Sequence, residues 1–178
     1  MRIILIGLFL TLAIPFPVQA EEGEKAPQEA QAVMETAQAE QSPEQILAEL
    51  STEYPMFRFV TSQGIFVVEL DARKAPLTVA NFYGYVKQGF YNDTLFHRVI
   101  NDFVAQGGGM NTAYEAKQEG KPIPNESGNG LKNVRGSLAM ARTNKPHSGT
   151  SQFFFNLNNN ADLDPLPTRW GYAVFGKV

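Results

Sequence analysis

In residues 56–61 and 65–70 apolar and polar positions alternate, and both segments are rich in Phe and Val. A period of two belongs to a half-buried strand, and Ser62-Gln63-Gly64 between them supplies a turn, so the pair predicts a β-hairpin. The period then changes. Ala75-Pro76 opens a stretch in which Val79, Phe82, Tyr83 and Val86 recur three and four residues apart, the stripe of an amphipathic helix, with Gly89 as its stop. Short strands are predicted again at 95–100, 103–106, 137–142, 152–156 and 172–178. Residues 107–133 form a long loop rich in Gly, Asn, Lys and Pro, and a loop of that length in a compact domain is usually functional or disordered. Many short strands with one clear helix and no internal repeat predict an antiparallel barrel or sandwich.

The first 53 residues follow neither period. Arg2, an apolar run over 3–14 and the small-residue site Val18-Gln19-Ala20 read as a secretory signal peptide over residues 1–20, the run being short for a membrane span. No Cys follows that run, so there is no lipid-attachment site. Residues 21–53 carry nine Glu and one Lys, net −8, whereas 54–178 are net +4. The acidic stretch, rich in Ala, Gln and Glu, has too little apolar surface to offset the entropy of ordering and reads as a tether. Within it, Ser42-Pro43-Glu44-Gln45 is a capping box that starts a short helix with Ile46, Leu47 and Leu50 on one side. A solvated arm is favoured over a docked one. The third segment, 54–178, is long enough for one domain with a real core.

Composition narrows the chemistry. The chain has no cysteine, so an exported form cannot be stapled by disulfides and depends on packing; the signal points to secretion into the periplasm, with no membrane anchor after cleavage. The domain has no Lys/Arg run and no basic helix face, which argues against a nucleic-acid partner. His97 and His147 are the only histidines and stand apart from clustered Asp or Glu, so no metal site is expected. Ser151 lacks a Gly-x-Ser-x-Gly elbow, which argues against a hydrolase. The sequons at Asn92 and Asn125 read as chance matches in a bacterial protein.

The segment from Phe96 to Gly108, Phe-His-Arg-Val-Ile-Asn-Asp-Phe-Val-Ala-Gln-Gly-Gly, sets one cation, two aromatics and an amide among apolar β-formers. It suits binding and polarising a neutral group better than cutting a bond. Together with Ser151-Gln152-Phe153-Phe154-Phe155 and Tyr172-Ala173-Val174-Phe175-Gly176-Lys177, it resembles the cyclophilins, the peptidyl-prolyl isomerases, over residues 56–178. The resemblance implies a closed, antiparallel, eight-stranded barrel capped by helices, with a groove on its outer face, no cofactor, and proline-containing polypeptides as substrates of a monomeric enzyme.

The resemblance also implies roles. Arg98 matches the catalytic arginine. Phe103, Val104, Phe154, Leu163 and Tyr172 match the proline pocket, while Phe153 and Phe155, alternating with Phe154, belong to the core. Gln106 and Gln152 match amides that bond the peptide, and Ala141 and Arg142 match a strand edge that pairs with it. His97, next to Arg98, is expected to face inward as a hydrogen-bonded core residue. Several positions depart from the common pattern: Gly109 where many relatives have Asp, Val104 for Met, Arg142 for Asn, Tyr172 for His, and Asp162 for Trp or Phe. Relatives also continue beyond the Phe175–Val178 segment with a helix and a strand that pairs with the first. The sequence stops there, so residues 56–61 are expected to form an open edge. The rival reading is a proline-peptide-binding module or chaperone without turnover on the same scaffold, since fold alone does not fix activity.

Overall fold

A computed structural model describes residues 41–178. The signal-like segment and residues 21–40 of the acidic stretch lie outside the described residues. The elements are α1 (Pro43–Glu49), β1 (Met56–Thr61), β2 (Gly64–Leu70), α2 (Pro76–Lys87), β3 (Arg98–Ile100), β4 (Val104–Gly107), β5 (Ser137–Met140), β6 (Phe153–Asn156), a 3-10 turn (Ala161–Leu163) and β7 (Val174–Lys177).

The seven strands form one antiparallel sheet in the order β1-β2-β7-β5-β6-β4-β3. Laid flat, strands spaced about 4.8 Å would put β1 and β6 roughly 19 Å apart. Yet the Phe59 ring of β1 lies 5.6 Å from Phe155 of β6, and Phe66 of β2 lies 5.3 Å from the same ring. The sheet therefore curls around its phenylalanines. Val68, Leu70, Phe82, Leu138, Phe153, Phe155 and Phe175 are buried inside the curl, and α2 closes it with Val79 and Phe82.

The eight-stranded closed barrel is corrected by this topology. Among the described residues β1 and β3 each pair on one side, because β7, the last strand, is already held between β2 and β5. The outer edge of β1 is open, as expected, and Met56 and Val60 are exposed on it. The strand foreseen at 95–100 is shorter than predicted: ladder pairing with β4 starts only at Arg98.

α1 also departs from expectation. Its capping box is formed, with Ser42 Oγ accepting from Gln45 N at 3.3 Å and Gln45 Oε1 accepting from Ser42 N at 2.8 Å. The helix is not a solvated arm, however. Leu47 and Leu50 pack on the core, and Glu49 accepts from Lys87 of α2 at 2.6 Å.

The long loop is tied down along its length. Glu126 accepts from the N–H groups of Leu77 and Thr78 and from the Thr78 hydroxyl, supplying α2 with the cap that Ala75 cannot give. Gly120 N donates to Tyr85 Oη, and Asn129 Nδ2 to Val174 O. Asn125 Nδ2 is committed to the carbonyls of Pro146 and Gly171, so that sequon is a structural amide.

Candidate active site

Alternation along the strands turns a second set of side chains to the convex face. Across the sheet the register aligns Arg98 with Gln106, Gln106 with Phe154, Phe154 with Ala139, and Ala139 with Val174. Phe153 and Phe155 point inward, so Phe154 points out. Around it Val104, Ala139, Ala141 and Val174 form a buried apolar cluster, lined further by Phe103, Leu131, Leu163 and Tyr172. Val104 is 2 % exposed and Phe154 4 %, although they lie on the outer side of the sheet. The loops beside the sheet bury this cluster.

Each wall has a local cause. Phe103 follows the β3–β4 turn, where Asp102 adopts the left-handed region (φ 55°), a conformation Asp tolerates better than most residues. Phe103 N donates to Ile100 O at 3.1 Å, and the Phe103 ring centre then sits 5.9 Å from the Arg98 guanidinium carbon. Leu163 ends the 3-10 turn, and its carbonyl accepts from Tyr172 N at 2.9 Å. Asp164 fixes that turn by accepting from the Asn133 backbone N–H at 2.9 Å and side-chain amide at 3.0 Å, with Lys132 at 3.5 Å. Burial opposes ionisation of Asp164, but these donors and the ammonium together hold its carboxyl below the usual range.

Tyr172 meets Phe154 edge-on at 5.5 Å, and the Arg142 guanidinium lies 4.4 Å over the Tyr172 ring. Arg142 also donates to the carbonyls of Thr143, Trp170 and Gly171. Its side chain is thus a brace for the far wall. Asp162 is exposed and Trp170 packs edge-on against His147 at 5.0 Å, so the rings beside the cluster are Phe103, Phe154 and Tyr172.

The polar rim is continuous. Arg98 Nη1 donates to Gln106 Oε1 at 3.3 Å, Gln106 Nε2 to Gln152 Oε1 at 3.0 Å, and Gln152 Nε2 to Glu119 Oε1 at 3.1 Å. Gly109 is the reason Gln152 fits: a Cβ there would lie 2.5 Å from Gln152 Cγ. Tyr91 donates to Ser151 O at 2.8 Å and anchors the residue before Gln152; burial pushes the Tyr91 hydroxyl pKa well up, keeping it a donor.

All ten residues singled out in the sequence lie on or beside this face. Glu119 was not among them: a glutamate within a run of mixed charges, 115–121, reads as solvated, and nothing in the local pattern marks it. His97 departs from expectation. It precedes β3 and is half-buried, and its Nδ1 is buried with no hydrogen-bond partner among the described residues. The inward position next to it belongs to Phe96, whose ring meets Phe153 and Phe155.

The arrangement pairs an apolar cluster with a guanidinium beside Phe103 and amides along one side.

Comparison with known proteins bears on this directly. The family model for cyclophilin type peptidyl-prolyl cis-trans isomerases matches residues 56–178. Peptidyl-prolyl cis-trans isomerase A of Dickeya dadantii is 52% identical over 118 residues, 66% of this chain and 62% of that protein. Isomerase B of Escherichia coli is 50% identical over 126 residues, 69% of this chain and 77% of that protein. A crystal structure of a cyclophilin-type isomerase from Cryptosporidium parvum superposes with a TM-score of 0.59 at 29% identity, over 70% of this chain and 76% of the other. From the sheet, the outer face and these matches together, the chain belongs to the family of cyclophilin-type peptidyl-prolyl cis-trans isomerases.

Proposed function

We propose that this protein accelerates cis–trans isomerisation of X-Pro bonds in exported polypeptides, with Arg98 acting on the twisted imide. The observation that carries this reading is the Arg98 guanidinium beside Phe103, at the edge of the apolar cluster of Val104, Phe154, Leu163 and Tyr172. An amide resists rotation by about 18–20 kcal/mol because its C–N bond is conjugated. On twisting, conjugation is lost and the prolyl nitrogen regains a lone pair. A fixed cation that donates a hydrogen bond there stabilises the twisted state over either planar one. Guanidinium serves because it stays charged and presents several donors in one plane.

The cluster accounts for recognition. A pyrrolidine ring is apolar and rigid, and the half-buried Phe103, Leu163 and Tyr172 offer it apolar contacts around the buried Phe154. Gln106 and Gln152 offer an amide donor and acceptor for the neighbouring peptide groups, and residues 141–142 offer backbone. A related Cryptosporidium structure, with a TM-score of 0.56 and 30% identity, was determined in the presence of the dipeptide Ala-Pro, which supports a proline-sized ligand here.

The activity is tested by a protease-coupled isomerisation assay with an X-Pro peptide. Acceleration above the uncatalysed rate is expected. Binding of the same peptide without acceleration would identify a recognition module instead. Export rests on the signal-like pattern of residues 1–20. Protein recovered from the periplasm should begin at Glu21 by mass spectrometry, and an intact Met1 in membrane fractions would contradict that.

A further inference from the structure

We infer that Glu119 is a positioning residue for catalysis: it sets the direction of the amide chain that orients Arg98. This rests on the reading of Arg98 given above and adds the residue at the other end of its network. Three donors from consecutive residues converge on the Glu119 carboxylate: Thr150 Oγ1 at 2.5 Å, Ser151 Oγ at 3.0 Å and Gln152 Nε2 at 3.1 Å. The Ser151 hydroxyl shares its proton with Gly108 O at 2.8 Å.

Direction is the point. Gln106 and Gln152 are each symmetric in shape, and an amide can present oxygen or nitrogen to a neighbour at equal steric cost. A chain of two such amides can therefore run either way. Its two ends are not symmetric. Arg98 can only donate, and a carboxylate only accepts. With Glu119 in place, Gln152 must offer Nε2 to it, which leaves Gln152 Oε1 for Gln106 Nε2, and Gln106 Oε1 for Arg98. That is the observed order. Without an acceptor at position 119, the reversed order competes. It would set the Gln106 NH2 against the guanidinium, donor to donor, and release Arg98 from its only side-chain acceptor among the described contacts.

The test is steady-state isomerase kinetics on the full chain, with melting temperature as the control for folding. Glu119→Lys replaces the acceptor by a donor and should reverse both amides. Its kcat is expected to fall about tenfold, the factor of one ordinary hydrogen bond, with KM changed less. Because Gln152 also faces the peptide, the change at 119 is compared in two backgrounds: in Gln152→Glu, whose carboxylate can accept from both the new ammonium and Gln106, Glu119→Lys should raise kcat rather than lower it. A role confined to anchoring the 110–120 loop through Thr150 and Ser151 would give the same loss in both backgrounds. Should Glu119→Lys fold poorly, Glu119→Leu serves, of similar size and with no acceptor: two- to threefold loss of kcat is expected, with melting temperature measured alongside. Parental kcat in a folded Glu119→Lys or Glu119→Leu, or the same loss from Glu119→Lys in the parent and in the Gln152→Glu background, overturns the inference. Arg98→Ala, run in parallel, separates the two readings. If it keeps parental kcat, the Arg98 mechanism fails, and if it loses activity while the Glu119 variants do not, only the present inference fails.

Discussion

Phe103 and His97 flank Arg98 in sequence and differ in what they touch. The Phe103 ring borders the outer cluster and the guanidinium, so it meets any ligand held there. Phe103→Ala should weaken binding of a proline peptide first, since burying an aromatic contributes about 1.5–3 kcal/mol to either planar isomer. A titration reporting Kd for parent and variant checks this, and an unchanged Kd would remove Phe103 from the pocket. His97 borders no part of the outer cluster, and its buried Nδ1 has no partner among the described residues. His97→Ala should leave turnover per folded molecule near the parental value. That Arg98, Gln106, Phe154 and Gln152 come together was legible because a long motif and two shorter ones carry them. Glu119 was not legible, because its meaning comes from three side chains about thirty residues away in sequence.

At the scale of elements, the 3-10 turn that carries Leu163 shows how a half-buried carboxylate sets a pH limit. Asp164 has a lowered pKa in the fold, so its contribution to stability is present above the unfolded value of about 3.9. That contribution is lost as pH falls through the folded value. Acid unfolding of the parent should therefore be steeper below about pH 4 than that of Asp164→Asn, which has no proton to take up there. Superimposable acid limbs would contradict the assignment. The hairpin and α2 were legible from period, as Phe57 and Phe59 illustrate, half-buried on either side of the exposed Arg58, although the apolar Met56 and Val60 are exposed. The docking of α1 was not. A helix with only Ile46, Leu47 and Leu50 on its apolar side reads as marginal until Lys87 and the surface of α2 are in place. The late start of β3 was equally hidden, because the apolar β-formers Leu95 and Phe96 precede the point where pairing begins.

For the whole molecule, the open sheet is the feature that most constrains behaviour. Leu70 N donates to Pro55 O at 2.9 Å, which fixes the phase of the β1–β2 ladder. Bonded and non-bonded pairs alternate in an antiparallel ladder, so the N–H groups of Met56, Arg58 and Val60 face the unpaired side. Hydrogen exchange should find these three fast and Phe57 and Phe59 slow; equal protection along β1 would mean that another segment covers the edge. β6, β4 and β3 are neighbours in the sheet and Leu163 and Tyr172 pack beside them, so the outer cluster forms without closure, and the β1 edge lies away from it in strand order. The proposed chemistry therefore depends on the guanidinium beside that cluster. The most direct measurement is kcat for X-Pro isomerisation beside Kd for a proline peptide, in the parent and in Arg98→Ala. Loss of one such donor removes roughly 2.7–4 kcal/mol of transition-state stabilisation, so kcat should fall about 10²–10³-fold while Kd changes little. An Arg98→Ala protein that isomerises as fast as the parent, or that loses binding in proportion to rate, would contradict the account.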